Sequence, residues 1–212
     1  IDGPAGAGKS TIAKRIARRL GYIYVDTGAM YRAMAYYLIQ NQVDAADQEA
    51  IAAACQHADI SICYQDGEQV VLLNGENVNA YLRTEAVGNM ASVSSVVPEV
   101  RKKLVELQQK LARETDVVMD GRDIGTVVLP DADVKVYLTA SVETRAKRRF
   151  LELQEKGESA DLAKIAADIE DRDYRDMHRD ISPLRQAEDA TLVDSSDMTI
   201  DQVVERILEL CR

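Results

Sequence analysis

Cysteine, histidine, net positive charge and long apolar runs are all scarce in this chain of 212 residues. Its cysteines, Cys55, Cys63 and Cys211, lack metal-ligand spacing, and the isolated His57 and His178 allow no Ser-His-Asp or Cys-His triad. No apolar run approaches the roughly 20 residues of a membrane-spanning helix. The formal net charge of −10 argues against nonspecific binding to nucleic acid. We therefore expect a cytoplasmic protein with no membrane or nucleic-acid partner. We also expect a monomer, although none of these features determines the oligomeric state.

A glycine-rich stretch lies at the start of the chain, and it has the P-loop pattern. It reads Gly3-Pro4-Ala5-Gly6-Ala7-Gly8-Lys9-Ser10, and an amphipathic helix follows it over 11–20. Small residues let backbone N–H groups turn inward toward phosphate oxygens, and the helix N-terminus favours an anion. The pattern predicts that Lys9 reaches the β- and γ-phosphates of ATP and that Ser10 ligates Mg²⁺. The residues predicted to bind ATP are Gly3, Pro4, Ala5, Gly6, Ala7, Gly8, Lys9, Ser10, Thr11, Arg148 and Arg149.

Hydrophobic patterning along the rest of the chain predicts an α/β fold. Apolar runs beginning near residues 1, 22, 117, 134 and 191 predict a five-stranded parallel sheet flanked by helices. Asp66-Gly67 and Asn74-Gly75 are strong hairpin signals, which predict a small antiparallel insertion over about 58–80. Helices are predicted over 11–20, 29–40, 43–57, 83–95, 100–114, 141–154, 162–179 and 199–210, and Pro98 is typical of a helix start.

The apolar strand Val117–Met119 leads directly into Asp120-Gly121-Arg122-Asp123. A carboxylate at the end of such a strand is what a P-loop enzyme needs to support Mg²⁺. The predicted metal site is therefore Ser10 with Asp120, contacting the ion directly or through water.

Arginines cluster in the last third of the chain, and they have two interpretations. Arg172, Arg175 and Arg179 are spaced to share one helix face, with acidic residues between them. The plain interpretation is a solvated face of weak ion pairs. The functional interpretation is an anion-binding site whose acidic residues hold the arginines while the site is empty. The P-loop favours this interpretation, because a kinase must bind two anionic substrates.

A second arginine cluster, Arg145, Arg148 and Arg149, precedes a break at Gly157. Two helices separated by such a break predict a mobile helical hairpin that closes over ATP and excludes water. Near the start of the chain, Arg32 is predicted in the first turn of a helix, where it opposes the helix dipole unless an anion is nearby.

These motifs together resemble bacterial cytidylate kinases, essentially from end to end. The resemblance is carried by the P-loop and three further segments: Asp26-Thr27-Gly28-Ala29-Met30-Tyr31-Arg32, Asp120-Gly121-Arg122-Asp123-Ile124-Gly125-Thr126 and Arg172-Asp173-Tyr174-Arg175-Asp176. It implies transfer of the γ-phosphoryl group of ATP, with Mg²⁺, to CMP or dCMP. The fold implied is that of a nucleoside monophosphate kinase.

The resemblance also implies roles for individual residues. It implies that Arg32 and Arg122 bind the acceptor phosphate and that Asp176 and Arg179 bind the sugar hydroxyls. It implies that Ser92, Arg101 and Asp123 bind the edge of the cytosine base. The predicted catalytic residues are Lys9, Arg122 and Arg172. The full predicted acceptor set is Thr27, Arg32, Ser92, Arg101, Arg122, Asp123, Arg172, Asp176 and Arg179.

The implied organisation has a core, an acceptor-binding region and a lid. The core is expected over 1–27, 101–142 and 181–212, the acceptor-binding region over 28–100, and the helical lid over 143–180. Because the chain starts inside the P-loop motif, we expect a short N-terminal piece to precede it.

Two other functions remain open from the residues. One is a different small-molecule kinase on the same scaffold, acting on shikimate, AMP or UMP. The other is a nucleotide-dependent switch, which needs no second anion site, so the arginines near Arg122 and Arg172 argue against it.

Overall fold

Eight α-helices and seven β-strands form residues 1–211, the part of the chain that this computed structural model describes. The helices are α1 (Lys9–Leu20), α2 (Thr27–Gln40), α3 (Gln48–Cys55), α4 (Glu85–Ser94), α5 (Pro98–Glu114), α6 (Val142–Glu155), α7 (Leu162–His178) and α8 (Ile200–Leu210). The strands are β1 (Ile23–Asp26), β2 (Ile60–Gln65), β3 (Glu68–Leu73), β4 (Glu76–Asn77), β5 (Val117–Asp120), β6 (Val136–Thr139) and β7 (Thr191–Asp194). A 3₁₀ turn lies at Asn79–Tyr81 and a π-helical turn at Ile124–Val128.

Side-chain caps explain where most helices begin. Short polar side chains accept a hydrogen bond from the first-turn backbone N–H groups, which have no partner inside the helix. At α8, Thr199 and Gln202 form a reciprocal capping box. The capping residues of α2, α3, α4, α6, α7 and α8 are Asp26, Asp47, Thr84, Ser141, Asp161 and Thr199.

The caps also correct two predicted helix boundaries. The second helix begins at Thr27 rather than residue 29, because the Asp26 carboxylate accepts the Ala29 N–H at 2.9 Å. The predicted helix over 43–57 is only Gln48–Cys55, because Asp47 caps it. At the other end of α7, Arg179 has extended backbone and lies outside the helix.

The chain divides into two compact units, and the first comprises Ile1–Gly21 and the chain from Asp120 onward. In this unit β6 and β7 pair in parallel, with Val136 opposite Thr191. Asp2 forms parallel bridges to both Gly121 and Tyr137. Helix α1 packs on α8, and α6 packs on α7. The P-loop follows the bridged Asp2 directly and leads into α1.

The second unit comprises Tyr22–Met119. Strand β1 is hydrogen-bonded to β5, and β2, β3 and β4 form an antiparallel sheet. That sheet confirms the predicted insertion, and positive φ angles at Asp66, Gly67, Asn74 and Gly75 form its two tight turns. Helix α2 is the centre of this unit and packs on α3, α4 and α5.

The predicted α/β class is confirmed, but the predicted single five-stranded sheet is not. The structure forms separate sheets of two, three and two strands. The strand expected near residue 1 is reduced to the bridges of Asp2, because Gly3 already has the positive φ of the following loop.

Each unit has its own apolar core. In the first, Ile16, Leu138 and Ile207 are fully buried, and in the second Met30, Leu38 and Leu104 are. Across the described residues, no helix has both the length and the apolar character that a bilayer crossing requires.

Candidate functional site

The P-loop backbone depends on glycine at three positions. Gly3, Gly6 and Gly8 have φ of 149°, 75° and 88°, a region that other residues rarely adopt. A Cβ on Gly3 would overlap the carbonyl oxygen of Leu138. The loop therefore has the tight backbone turns that its glycine pattern predicts, and Gly8 lies directly before the N-terminus of α1.

Lys9, the first residue of α1, is buried inside this loop and donates a hydrogen bond to the Pro4 carbonyl at 2.7 Å. Burial lowers the pKa of Lys9 well below its ordinary value, and the charge of Arg122 lowers it further. The carboxylates of Asp120 and Asp2 act in the opposite direction. The ammonium group is thus held in a dry position where a phosphate would stabilise its charge.

Ser10 and Asp120, the residues of the predicted metal site, are hydrogen-bonded to each other. The Ser10 hydroxyl donates to the Asp120 carboxylate at 3.0 Å, and Asp120 is buried at the end of β5. Within residues 1–211 no group of three or more His, Cys, Asp or Glu side chains is arranged to hold a metal. One hydroxyl and one carboxylate nevertheless fit Mg²⁺, which binds through few protein oxygens together with substrate phosphates.

A second charged cluster lies in the same unit, formed by the segment after β5 and the end of α7. Arg122 donates to the Asp176 carboxylate at 2.8 Å, and Arg179 lies 3.9 Å from Asp123. Burial raises the pKa of Asp176, but the charges of Arg122, Arg172 and Arg179 outweigh it, so this pKa lies below its ordinary value. The acidic residues thus hold the arginines in place without a ligand.

The predicted arginine face is wrong for Arg175. The buried residues of α7 are Ile169, Asp173 and Asp176, spaced at i, i+4 and i+7. Arg172 is half-buried beside them, whereas Arg175 is exposed and directs its Nε toward the Asp171 carbonyl at 3.4 Å. The inward face of the helix is therefore acidic, and arginines approach it from the sides.

The three arginines of α6 have different environments. Arg145 is buried and ion-paired to Asp173 of α7 at 2.6 Å. Arg148 donates to the Ser195 carbonyl at 2.7 Å, and Arg149 forms an exposed pair with Glu152 at 2.8 Å. Sequence reasoning chose Arg148 and Arg149 for ATP, although Arg145 is the one that contacts the P-loop, at the Ala5 carbonyl.

In the second unit, the start of α2 gathers Thr27 and Arg32. Thr27 is buried as the first residue of the helix, so Arg32 lies in the second turn rather than the predicted first. The Arg32 guanidinium nevertheless lies beside the first turn. A Cβ built on Gly28 would lie 3.4 Å from Arg32 Nη1. The same Cβ would lie 3.2 Å from the Asp26 carboxylate. Glycine at 28 therefore leaves the space that Arg32 uses.

Ser92 and Arg101 lie near each other through Ser95. Ser95 donates to the Ser92 carbonyl at 2.8 Å, and the buried Arg101 donates to the Ser95 carbonyl at 3.2 Å. The Arg101 guanidinium also lies 5.7 Å from the centre of the Tyr31 ring, a cation–π distance. This unit therefore holds an ordered arginine between the Ser95 carbonyl and an aromatic ring.

Asp2 is a site residue that sequence reasoning missed. Its buried carboxylate accepts the N–H groups of Ile124 and Gly125, both at 2.8 Å. These bonds hold the π-helical turn that follows Arg122 and Asp123. The available signal was an aspartate immediately before the first P-loop glycine.

Gln69 of β3 was also missed, and nothing in the sequence marks it. Its side-chain amide accepts the Asp26 N–H at 2.9 Å and donates to the Asp26 carbonyl at 3.2 Å. The insertion thus bonds both main-chain groups of the residue that caps α2.

Comparison with known proteins shows the family of this chain. The family model described as cytidylate kinase matches residues 1–212. The chain is similar to a cytidylate kinase of Lactobacillus johnsonii, at 54% identity over 99% of this chain and 91% of that protein. It is also similar to one from Caldicellulosiruptor saccharolyticus, at 51% identity over 99% of this chain and 93% of that protein. On these matches, the chain belongs to the cytidylate kinase family.

Proposed function

We propose that this kinase transfers the γ-phosphoryl group of ATP to CMP or dCMP, giving ADP and CDP or dCDP. The observation that carries the proposal is the presence of two cationic sites in one unit. Lys9 lies in the P-loop, and Arg122 with Arg179 is held ready by Asp176 and Asp123. A phosphoryl transfer between two anions needs positive charge for both donor and acceptor.

The acceptor contacts are part of the proposal. Arg32 and Arg122 bind the acceptor phosphate, and Thr27 belongs to the same acceptor set. Ser92, Arg101 and Asp123 bind the cytosine edge. Asp176 and Arg179 bind the sugar hydroxyls, and Arg172 neutralises charge on the transferring group. The support is that most of these side chains are buried or half-buried and already held by named partners.

The proposed chemistry needs no protein nucleophile. The acceptor phosphate is already an anion at neutral pH, so catalysis consists of positioning and charge neutralisation. Lys9 contacts the β- and γ-phosphates, and Arg148 and Arg149 contribute from the lid. Ser10 and Asp120 would hold Mg²⁺, which neutralises phosphate charge when it is bound.

The proposal includes the predicted organisation of the chain. The core lies over 1–27, 101–142 and 181–212 and contains a single five-stranded parallel sheet, a view supported by the two bridges of Asp2. The acceptor-binding region lies over 28–100 and the lid over 143–180. The enzyme acts as a monomer, which light scattering after gel filtration would test.

The first experiment is ADP release from Mg-ATP with a panel of acceptors: CMP, dCMP, UMP, AMP and shikimate. Rapid turnover with CMP and dCMP and little with the others is expected. Preference for another acceptor would establish a different kinase on this scaffold. Binding of ATP without turnover on any acceptor would support a nucleotide-dependent switch.

The sugar assignment has its own test. Arg179→Ala and Asp176→Ala should each raise the KM for CMP while changing the KM for ATP little. Arg185→Ala is a matched control, because Arg185 is exposed shortly after α7. An unchanged KM for CMP in both variants would remove the sugar assignment.

A further inference from the structure

One buried ion pair lies between α6 and α7 and contacts the P-loop. Arg145 and Asp173 have side chains only 5% and 10% exposed, and their charged atoms are 2.6 Å apart. Arg145 also donates from Nε to the Ala140 carbonyl at 2.8 Å, so its guanidinium is fixed to the start of its own helix. The attraction between the two charges is therefore supplemented by a hydrogen bond to the backbone.

Both main-chain groups of Ala5 are bound by this pair. The Ala5 carbonyl accepts from Arg145 Nη1 at 2.9 Å, and the Ala5 N–H donates to Asp173 Oδ1 at 3.3 Å. The three residues form a closed ring of hydrogen bonds. A shift of the loop at this position would break contacts with both helices at once.

The next P-loop residue is held by packing. A Cβ on Gly6 would lie 3.3 Å from Arg145 Cβ, with Cγ and Cδ at 3.8 and 3.9 Å. The aliphatic stem of Arg145 therefore covers Gly6, whose φ is 75°. Two consecutive residues of the loop thus rest on one arginine.

We propose that Arg145 and Asp173 are positioning residues that hold the P-loop backbone at Ala5 and Gly6 in its anion-binding conformation. They act through the loop rather than on a substrate. Because they belong to α6 and α7, they also connect the geometry of the loop to the helices of the expected lid. The inference deepens the proposed function and rests on it for the reaction being measured.

A small displacement of a binding loop has a large kinetic effect. Misplacing reacting groups by about 1 Å can cost about 100-fold in rate. Losing either partner of the ion pair also leaves a buried charge, so alanine variants could unfold the protein. Conservative variants are therefore the informative ones.

Arg145→Lys and Asp173→Asn are the test variants. Lysine keeps the charge but lacks the planar fork that reaches three acceptors. Asparagine keeps an oxygen for the Ala5 N–H but loses the charge that Arg145 pairs with. Each should lower kcat with CMP by about 10- to 100-fold and weaken ADP binding, measured by calorimetry without acceptor, while the Kd for CMP alone stays the same. Lys147→Met and Asp171→Asn are matched controls, exposed on the same two helices.

The measurements are made well below the melting temperature of each variant, so that folded enzyme is compared with folded enzyme. Wild-type kcat and ADP affinity in both variants would overturn the proposal. Equal weakening of ADP and CMP binding would also overturn it, since that pattern indicates general structural damage. The ADP titration needs no acceptor, so it tests the positioning role by itself. A wild-type enzyme that is inactive on CMP would contradict the proposed function, and the ADP affinities of the variants would still test the positioning role.

Discussion

At the scale of single residues, the buried charges around the P-loop are all held by polar neighbours. Lys9 donates to Pro4, and Asp2 accepts two backbone N–H groups. A buried charge without such partners would be strongly destabilising. These hydrogen bonds offset the desolvation of the buried groups when the chain folds. The site is therefore ordered in the absence of nucleotide.

Lys9→Ala should reduce kcat by about 100- to 1000-fold, the range observed when one preorganised donor to a transition state is removed. The fold should survive, because burial already disfavours the charged form of Lys9 in the empty protein. Lys14→Ala, exposed on the same helix, is the control and should retain activity. The measurements are steady-state kinetics and a thermal melt, and a variant close to wild-type kcat would contradict the assigned role.

Asp176→Asn should change how stability depends on pH. The pKa of Asp176 in the folded protein lies below its ordinary value of 3.8, so the folded state favours the carboxylate. This contribution is complete above that ordinary value and is lost as pH falls through the lower, folded-state pKa.

The variant should therefore be about 2 kcal/mol less stable than wild type near pH 7, the scale of a hydrogen bond to a charged group. The difference should shrink when pH falls below 3.8. Urea denaturation at several pH values measures it, with the exposed Asp171→Asn as control. A difference that is constant with pH would contradict the role of the charge.

At the scale of elements, the inserted strands position the start of α2. Gln69 bonds the N–H and the carbonyl of Asp26, as a neighbouring strand would, and Tyr64 donates to the Tyr24 carbonyl at 3.1 Å. Asp26 in turn caps α2, which carries Thr27 and Arg32. The insertion thus supports the residues proposed to bind the acceptor phosphate.

Gln69→Leu should raise the KM for CMP several-fold and leave the KM for ATP nearly unchanged. Leucine is similar in size but cannot replace the two hydrogen bonds, and the Asp26 main chain would lose both partners. Gln65→Leu is the matched control, because Gln65 is exposed at the end of the adjacent strand. An equal rise in both KM values would indicate a general loss of structure instead.

Helices α6 and α7 should become more protected when both substrates bind. If residues 143–180 close over ATP, amide hydrogen exchange in this segment should slow with ADP and CMP together, and less with either alone. Mass spectrometry of peptic fragments measures the exchange, with α8 as the internal reference. Equal exchange with and without nucleotides would argue against a lid.

At the scale of the whole molecule, a net charge of −10 coexists with anionic substrates. Overall charge therefore does not attract the ligands, and the few buried cations must do so locally. The same balance supports the expectation that nucleic acid is not a partner.

Nucleotide binding should stabilise the folded chain by mass action. ADP at 100 times its Kd should raise the free energy of unfolding by about 2.7 kcal/mol. Adenosine at the same concentration should stabilise much less, because it lacks the phosphates that the P-loop binds. Urea titrations of the wild type and of Lys9→Ala measure the effect. Equal stabilisation by ADP and adenosine would show that the loop does not dominate binding.

The local features of this protein were determined by its sequence alone. The P-loop, the hairpins at Asp66-Gly67 and Asn74-Gly75, and the Thr199 cap depend on backbone preferences and short-range hydrogen bonds. The family resemblance rested on the same local motifs, and the comparisons confirm it.

Contacts between residues distant in the chain were decided only by the tertiary structure. Arg145 meets Ala5 and Asp173, Asp2 meets Gly125, and Gln69 meets Asp26, none of which any local spacing indicates. The same reason explains why Arg175 was misassigned: periodicity placed it on a face with Arg172, but packing of α7 decided which face is buried. Sequence therefore determined what each segment forms, and packing determined which side chains the site uses.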